Sequence, residues 1–505
     1  MNLHDLRPHL AVGAATVLVA ATGVVATTAT AAPATRCGSQ TSNNLAKLLE
    51  CVTLDGVRAH QAALQAIAAA NNGIRTSGTA GYDDSVDYVV DTMEAAGYDV
   101  TVQPFDFQTF ITLSAPVLEQ VAPPPTGPIE NAIMSYSGSG DVTASVTALT
   151  PAPGDTSPGC DAGDFAGFPA GNIALIERGA CTFALKATNA YNAGAVAVVI
   201  YNNIPGTLNG TLGNGFTLDL PVTSVAQDVG QQLAATPGLV LRVKTETFRG
   251  IATTYNVLAE KAGKDTGNVV MAGAHLDSVN AGPGINDNGS GSAALLEVAE
   301  QLAKTKTQNT LRFAWWGAEE SGLVGSTYYV NNLPQVERDR VAAYLNFDMI
   351  GSPNHVFFIY DGDDSDGVGA PAGPPGSAEI EQTFEAYFES VDVPYKGTDF
   401  SGRSDYGPFI AAGIPSGGLF TGAEGIKTAE EEAVWGGTAG ESYDPCYHLA
   451  CDTYDNVNLH ALDVNSDAVA WAALSLAMST ELINGTKSKG NFKPPKSDEE
   501  APATM

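Results

Sequence analysis

Apolar positions recur with two different periods in the first part of the chain. Near residue 45 they return every three or four positions, as Leu45, Leu48 and Leu49 do, which is the period of an amphipathic helix. Helical spacing continues toward Gly97, which predicts a helix end. Residues 100–107 then alternate apolar and polar side chains, which is typical of a strand with one buried face. We therefore expect helices followed by one strand in this segment.

In the second half of the chain the apolar runs become continuous instead of alternating. Residues 268–274, 311–316 and 341–347 are such runs, and strands buried on both faces of a parallel sheet have this composition. Residues 291–302 carry apolar side chains at helical spacing, and residues 468–482 predict a closing helix. This half of the chain therefore predicts an α/β fold.

Residues 129–247 differ from both flanking segments, because they are rich in Gly, Ala, Val and Thr. Their apolar runs are short, as at 172–176 and 195–200, which predicts a small module rich in strands. A proline-rich run at 122–128 precedes the module and predicts a loop or linker.

Both ends of the chain have compositions that predict segments outside the fold. Arg7 precedes an apolar run at 10–26, and small residues follow at 29–31. This order is typical of a secretory signal peptide, which we place at residues 1–34, and a retained membrane anchor is the alternative. Residues 485–505 are rich in Lys, Pro and acidic side chains and predict a disordered tail. We therefore expect an exported protein whose mature form spans no membrane.

The charge balance of the 505-residue chain excludes several classes of partner. Lys and Arg number 24 and Asp and Glu number 56, so the formal net charge is −32. Nucleic acids and anionic lipid surfaces both attract basic side chains, so neither is an expected partner. Hydrophobic residues make up 44% of the chain, which is enough to build a core, and two domains are expected at this length.

All six cysteines follow the predicted signal peptide, and an even number in an exported chain predicts disulfide bonds. The last two cysteines enclose His448, which is also typical of part of a zinc site, but export favours a disulfide. The cysteines occur as three local couples, and we therefore predict the pairs Cys37–Cys51, Cys160–Cys181 and Cys446–Cys451.

Acidic side chains and one histidine stand where the predicted strands of the second half end. Since ligands bind beyond the carboxyl ends of the strands in α/β sheets, these side chains should converge on one crevice. Carboxylates this close repel each other unless a cation binds, and imidazole with carboxylate suits Zn²⁺. The converging residues are His275, Asp287, Glu319, Glu320 and Asp348.

A second histidine ligand must come from the histidines that follow the predicted signal peptide. His448 is the best candidate, because a disulfide between Cys446 and Cys451 would hold its loop. We expect His60, in a helix, and His355, in a strand, to be structural. His460 is expected on the surface.

Taken in order, these residues resemble peptidase family M28, the co-catalytic zinc aminopeptidases, and most closely its secreted streptomycete-type members. The resemblance covers about residues 37–118 and 250–484. It implies a mixed, mostly parallel central sheet with helices on both faces, of the zinc-exopeptidase type. The motifs that carry it are GINDNGSG at 284–291, WGAEESGL at 316–323, NFDMIG at 346–351 and YDPCYH at 443–448.

The resemblance implies two zinc ions and assigns them ligands. His275 and Asp348 would hold one ion, and Glu320 and His448 would hold the other. Asp287 would bridge the two ions. The sequence leaves Co²⁺ and Mn²⁺ open as alternatives at these sites.

The same resemblance implies roles for residues that do not hold metal. Asp277 would orient His275 and fix its tautomer. Glu319 would be the general base, and Tyr447 would donate a hydrogen bond to the oxyanion. Arg403 would lie near the first residue of the substrate.

Some streptomycete-type relatives also bind Ca²⁺, so a calcium site is a further possibility. Asp452, Asp455 and Asp463 are the candidates, although we expect them to be ordinary surface charges. Asp444 is expected to be an ordinary loop residue.

The sequence NIALIERGACTF at 172–183, followed by Lys186, resembles a protease-associated (PA) domain. We therefore predict a PA domain at 119–248, inserted into a catalytic domain formed by 37–118 and 249–484. Two roles stay open for it: a lid or exosite that limits substrate size, or a structural appendage without substrate contact.

Together these features predict a secreted, monomeric zinc aminopeptidase that acts on peptides and favours large apolar N-terminal residues. A carboxypeptidase or dipeptidase of the same fold is the first alternative, because it would share the metal ligands. A PA-type binding protein with an inactive catalytic domain is the second, and the presence of every expected ligand argues against it.

Overall fold

The computed structural model describes residues 37, 41–149, 157–206, 208, 210–488 and 492–493. The chain forms two compact units, Met1–Gln40 and Thr41–Met505, and the second contains the sheet, the cores and the candidate site. The predicted signal peptide, residues 1–34, lies outside the described residues. Within the described part, no helix has the length and apolar character needed to cross a membrane.

Within residues 41–98 three helices precede the first strand, and the residues at their ends cap them. Asn44 and Thr53 accept backbone N–H bonds at the starts of the first two helices. Gly97 ends the third helix with φ 91°, the left-handed conformation that glycine adopts without strain, at the position where the sequence predicts a stop. The helices are α1 (Leu45–Leu49), α2 (Leu54–Ala70) and α3 (Ala80–Ala96), and β1 (Asp99–Ala122) follows.

The predicted module consists of short strands joined by helices and a 3-10 turn at Ala162–Phe165. In its described part the elements are β2 (Gly127–Pro128), β3 (Ala132–Ile133), β4 (Gly140–Ala148), β5 (Ile173–Glu177), α4 (Phe183–Asn192), β6 (Ala197–Tyr201), β7 (Val222–Val225) and α5 (Gln227–Ala234).

The module strands build a small sheet with a core on each face. β4, β5, β6 and β7 pair in this order and in parallel, and β3 pairs with β7 at the edge. Ala174 and Ile176 of β5 pack into one core, and Ile173 and Leu175 pack into the other. The continuous apolar run of β5 is therefore explained by burial on both faces. A disulfide joins Cys160 to Cys181.

A long antiparallel ribbon connects the module to the rest of the molecule. It consists of β1 and β8 (Val240–Lys261), which pair from Asp99 with Glu260 to Ala122 with Val240. At its module end β8 also pairs with β4, and at its other end it pairs with β10 (Asn309–Trp316). The predicted domain boundaries, after residues 118 and 248, fall inside these two continuous strands.

The rest of the described chain, residues 41–118 and 249–488, which we call the body, is built around parallel strands that the sequence predicts. β9 (Asp265–His275) lies between β10 and β11 (Val341–Phe347) and runs parallel to both. β14 (Ser416–Phe420) lies parallel to β11 on its other side. β12 (Phe358–Tyr360) is antiparallel to β14, and β13 (Lys396–Thr398) closes this edge parallel to β12.

Helices cover both faces of this sheet. Val270 and Ala272 of β9 pack into a large core with α2, α3 and several later helices, whereas Val269 and Met271 pack into a second core on the opposite face. The predicted mixed, mostly parallel sheet with helices on both faces is therefore confirmed. The later helices are α6 (Gly289–Leu302), α7 (Val324–Asn332), α8 (Gln335–Arg338), α9 (Ser377–Ser390), α10 (Tyr406–Ala411), α11 (Ala429–Trp435), α12 (Leu459–Met478) and α13 (Glu481–Asn484).

The end of the chain is only partly described. Of the predicted disordered tail, residues 485–505, the structure describes 485–488 and 492–493. Thr486 forms a β-bridge with Thr480, and Phe492 packs against the large core, so this part of the tail contacts the fold.

Candidate metal centre

The strand ends of the body converge on one crevice. His275 is the last residue of β9, and Asp348 directly follows the last residue of β11. Glu319 and Glu320 follow β10 after a turn in which Ala318 has φ 53°. Asp287 lies in the loop between β9 and α6. All five side chains lie at the carboxyl edge of the parallel strands, where α/β sheets bind ligands.

The ionisable atoms form two groups that share Asp287. His275 Nε2 lies 3.2 Å from Asp287 Oδ1 and 3.4 Å from Asp348 Oδ1. His448 Nε2 lies 3.2 Å from Asp287 Oδ2 and 3.0 Å from Glu320 Oε2. Each oxygen of the Asp287 carboxylate therefore faces a different histidine. The structure thus brings together the five side chains that the sequence predicts as metal ligands.

This donor set fits zinc in its spacing and in its chemistry. Ligands about 2.0–2.1 Å from a tetrahedral Zn²⁺ stand about 3.3 Å apart, which is close to the separations within both groups. Two buried oxygens, Asp348 Oδ1 and Glu320 Oε1, have no hydrogen-bond partner. Buried polar atoms of native proteins are nearly always satisfied, so these two oxygens indicate an interaction with a cation.

The charges of the cluster shift the pKa of each histidine. Burial alone disfavours the imidazolium of His275, but the Asp348 and Glu319 carboxylates outweigh it and raise its pKa well above the usual value. Burial opposes the charge of His448 too, and hydrogen bonds to Asp287 and Glu320 raise its pKa to about 10. Without metal, protons occupy the positions where cations would bind.

Asp277 contacts His275 in two ways. The Nδ1 atom of His275 lies 3.1 Å from the backbone oxygen of Asp277 and 3.6 Å from its carboxylate. A proton on Nδ1 would be donated to this carbonyl, which leaves the Nε2 lone pair directed at Asp287 and Asp348. The Asp277 carboxylate also accepts a bond from the backbone N–H of Glu319.

Glu319 lies beside the metal-binding groups without belonging to either. Its Oε2 atom is 3.9 Å from His275 Nε2, and the residue is only 9% exposed. Burial raises the pKa of the Glu319 carboxyl well above its usual value, and the neighbouring Glu320 carboxylate adds to this effect. A buried carboxyl with a raised pKa next to a metal site is suited to accept and release a proton.

Tyr447 and Arg403 stand together at the mouth of the crevice. The Tyr447 ring stacks on His448 with the centroids 3.8 Å apart. Arg403 donates one hydrogen bond to the Tyr447 hydroxyl at 3.2 Å and another to Glu424 at 2.7 Å. The guanidinium therefore holds the hydroxyl beside the two metal-binding groups.

Two acidic residues that we expected to be unremarkable support the centre. Asp452, predicted as a surface charge or calcium ligand, is 2% exposed and accepts bonds from the backbone N–H groups of Asn286 and Asp287. Asp444, predicted as an ordinary loop residue, is buried and accepts a bond from the Asn286 side chain. The surface prediction for Asp452 was wrong, because its contacts lie about 165 residues away in the sequence.

The loop that carries His448 is closed by a disulfide between Cys446 and Cys451. These two cysteines therefore do not ligate zinc, and Cys37 and Cys51 are disulfide-bonded as well. Asp452 directly follows this disulfide. Because its carboxylate accepts bonds from Asn286 and Asp287, Asp452 links the His448 loop to the Asp287 loop. Among the described residues, Asp452, Asp455 and Asp463 form no metal-binding group with one another.

Sequence reasoning also missed Ser404. Its hydroxyl donates a 2.6 Å hydrogen bond to Asp348 Oδ2 and accepts one from the Asn346 side chain. The bond leaves Asp348 Oδ1 free to face His275. Asn346 and Asp348 belong to one sequence motif, but Ser404 comes from a loop more than fifty residues later. The apolar pattern of a strand does not indicate which distant serine will contact the residue at its end.

The remaining histidines lie away from the crevice. His60 is buried between Tyr88 and Glu300, and His355 packs against Phe357 in a loop rather than in the predicted strand. His460 is exposed, as the sequence predicts.

Comparison with known proteins identifies the family. Residues 256–473 match Peptidase family M28, and residues 142–233 match the PA domain. The chain is 48% identical to an aminopeptidase of Pseudomonas aeruginosa over 449 residues, which is 86% of this chain and 83% of that protein. It is 44% identical to leucine aminopeptidase 2 of Arthroderma otae, covering 80% of each chain.

Solved structures agree with these matches. The aminopeptidase from Aneurinibacillus sp. strain AM-1 superposes with a TM-score of 0.61 at 27% identity, over 90% of this chain and 100% of that one. BSAP, a zinc aminopeptidase from Bacillus subtilis, gives a TM-score of 0.63 at 27% identity, over 86% and 98%. The chain therefore belongs to peptidase family M28 and carries a PA domain.

Proposed function

We propose that this M28 metallo-aminopeptidase is an exported enzyme that uses two zinc ions to release apolar N-terminal residues from peptides. The observation that carries the proposal is the pair of donor groups that share Asp287, with one carboxylate oxygen directed into each. His275 and Asp348 would complete one zinc site, and Glu320 and His448 the other. Zinc, when bound, supplies a Lewis acid that polarises the scissile carbonyl and acidifies the attacking water.

Glu319 would move the proton. Its carboxylate would take a proton from the attacking water and deliver it to the amine that leaves when the peptide bond breaks. Its burial keeps bulk water away and raises its basicity, so that it can accept a proton near neutral pH.

Tyr447 would stabilise the charge that develops on the carbonyl oxygen. Its hydroxyl lies at the mouth of the crevice and would donate a hydrogen bond to the oxyanion. Arg403 would keep this hydroxyl in place, since it already donates to the Tyr447 oxygen.

A small pocket of about 180 Å³ beside the donor groups would hold the N-terminal side chain. The donor groups and polar residues such as Asp399 form part of its lining, and Met349, Tyr360 and Phe420 supply the apolar surface that an apolar side chain would contact. The name of the Arthroderma relative, leucine aminopeptidase 2, supports the same preference. The Bacillus subtilis relative is named a zinc aminopeptidase, which supports zinc as the metal.

Export is supported by the disulfides and by the predicted signal peptide. A relative from Mycobacterium tuberculosis, 45% identical over 83% of this chain, is named a probable lipoprotein aminopeptidase. A membrane-anchored form is therefore the alternative location, and fractionation of the producing cells into medium and membranes would distinguish the two.

The test is hydrolysis of leucyl-nitroanilide by the purified protein before and after metal removal. We expect about two zinc ions per chain by elemental analysis, loss of activity on chelation, and recovery with added Zn²⁺. A peptide with a free amino terminus should be cut and its N-acetylated form should not. Activity that survives complete metal removal would refute the proposal, and cleavage of the acetylated peptide would favour the carboxypeptidase alternative.

A further inference from the structure

A second, much larger cavity opens beside the metal centre. Its volume is about 1020 Å³, and Glu320 and His448 line both this cavity and the small pocket described above. A site of this size is at the upper end of the range for small-molecule pockets, whereas the small pocket has room for one side chain. The two spaces therefore meet at the second donor group.

The module forms one wall of the large cavity. Ala132, Ile133, Ser135 and Gly210 of the module line it, opposite residues 278–281 of the body. β3, which contains Ala132 and Ile133, is the edge strand of the module sheet. The module therefore encloses the cavity on one side.

The ribbon forms a further wall through residues 109–116 of β1. In this stretch the pairing with β8 is irregular, with register shifts between Thr112 and Ser114 and between Ser114 and Val117. Bulges of this kind redirect side chains and are frequent beside active sites. Here Leu113 is left 65% exposed, more than any other large apolar side chain of β1.

The cavity is almost uncharged. Among the residues that line it in the described part of the chain, only Glu320 and His448 ionise, and both belong to the donor groups. The remaining walls combine small polar side chains, such as Asn71 and Thr79, with apolar ones, such as Ile111. No Lys or Arg is among these lining residues, so the cavity offers no partner for a carboxylate.

We propose that this cavity binds the uncharged segment of a peptide substrate that follows the scissile bond. The inference rests on the proposed aminopeptidase function, which places the N-terminal side chain in the small pocket. The rest of the chain must then leave the donor groups through another opening, and the large cavity begins at Glu320 and His448. The segment would lie between the ribbon and the module, whose residues line the cavity.

Occupation of this cavity makes the enzyme selective for chain length. Contacts far from the reacting bond contribute binding energy that a short substrate lacks, so truncated substrates react more slowly. Because no basic residue lines the cavity, a dipeptide gains nothing from its terminal carboxylate there. We therefore expect kcat/KM for an uncharged tetrapeptide amide to exceed that for the dipeptide amide with the same first two residues by about tenfold or more.

The test fills the cavity and compares the two substrates. Ala115→Trp places a large ring in the ribbon wall, at a position whose side chain is exposed. We expect it to lower kcat/KM for the tetrapeptide amide Leu-Ala-Ser-Ala-NH2 about tenfold and to leave hydrolysis of leucyl-nitroanilide within about a factor of two. Ile251→Trp is the matched control, because Ile251 is 63% exposed on the other strand of the ribbon and does not line the cavity.

A second variant keeps the test interpretable if Ala115→Trp does not fold. Leu113→Asn removes apolar surface from the same wall without adding volume, and it should lower the tetrapeptide value about threefold. Equal effects on both substrates, or no effect of Ala115→Trp in a folded protein, would overturn the inference. Failure to hydrolyse leucyl-nitroanilide at all would instead refute the proposed function, so the two failures are distinguishable.

Discussion

The catalytic body and the PA module differ in how many charged side chains they bury. In the body, His275, Asp287, Glu319, Asp348 and Asp452 are all at most 9% exposed and lie around one crevice. In the described part of the module, Lys186 is the only buried charged residue, and it donates to the backbone oxygen of Pro158. The other buried residues described in the module are uncharged, either apolar or small and polar such as Ser137 and Thr223.

This contrast separates the chemistry of the molecule from its selectivity. Burying several carboxylates together is unfavourable unless cations compensate them, and in this cluster either bound metal or the protonated histidines would do so. The module needs no such compensation, and what it brings to the site is the position of its backbone and small side chains. Variants in the body should therefore change the reaction, and variants in the module should change which substrates fit.

The largest effect is expected from Glu319→Gln. We expect kcat for leucyl-nitroanilide to fall about 10³-fold with both zinc ions retained, because a general base typically contributes 10²–10⁴-fold. Glu320→Gln is the matched comparison, since the neighbouring side chain belongs to a donor group and its loss should reduce bound zinc. Kinetics and elemental analysis of both variants make the measurement, and a fully active Glu319→Gln enzyme would reject the role of Glu319.

The second prediction concerns the pH dependence of zinc binding. Without metal the pKa of His448 is about 10 and that of His275 is well above its usual value, so both are protonated at pH 7. Zinc requires neutral imidazole, so each ion should displace one histidine proton, and above about pH 7, where Glu320 is ionised, the affinity for each ion should fall about tenfold for each pH unit of acidification. Calorimetry in buffers of different ionisation enthalpy would count these protons.

The same pKa shifts determine the sign of a stability effect in the metal-free protein. Because the folded-state pKa of His448 is raised, its imidazolium stabilises the fold below about pH 6.5, the unfolded-state value. This stabilisation is lost as the pH rises toward about 10.

Zinc affinity that does not vary between pH 6 and pH 8 would contradict the assignment of the two histidines as ligands.

The sequence predicts those site residues that directly follow a recognisable strand. His275 and Asp348 stand at the ends of continuous apolar strands, and this placement alone brings them to one edge of the sheet. Asp452 follows no such rule, because its role depends on backbone N–H groups in a loop far away in the chain. Its proximity to Asp287 is a property of the tertiary fold.

The ribbon shows that local sequence pattern is also insufficient to predict the full extent of a strand. Alternation predicts a strand at residues 100–107, whereas β1 continues to Ala122 through Ser114 and Pro116. This extension depends on pairing with β8, whose residues lie more than a hundred positions later. Strand preference is set by the neighbouring strand more than by the residues themselves, so local pattern underestimates the length of β1.

Ser404→Ala tests how much the body depends on residues that do not hold metal. The variant removes the hydrogen bond to Asp348 Oδ2, and zinc affinity should fall about 10- to 100-fold. Ser139→Ala in the module is the control, because its hydroxyl bonds only to Thr247 at the surface. Zinc titration against a chelating dye would compare them, and equal affinities would show that Asp348 needs no such support.

The smallest effects on activity are expected from the disulfides, and here stability and activity should separate. Cys160–Cys181 closes a sequence separation of 21 in the module, and Cys446–Cys451 closes one of 5 around His448. Chain entropy predicts that the first contributes about 3 kcal/mol to the free energy of unfolding and the second about 2 kcal/mol. The bond that stabilises more is thus the one farther from the chemistry.

We therefore expect serine pairs at the two disulfides to have opposite rankings. Replacement of Cys160 and Cys181 should lower the free energy of unfolding more, yet leave kcat/KM for leucyl-nitroanilide within about a factor of two. Replacement of Cys446 and Cys451 should lower stability less but reduce kcat/KM several-fold, because the His448 loop loses its constraint. If the serine pair in the module lowered kcat/KM for leucyl-nitroanilide as much as the pair beside His448 does, the module would be needed for the geometry of the metal centre. The proposed division between a body that catalyses and a module that selects substrates would then be wrong.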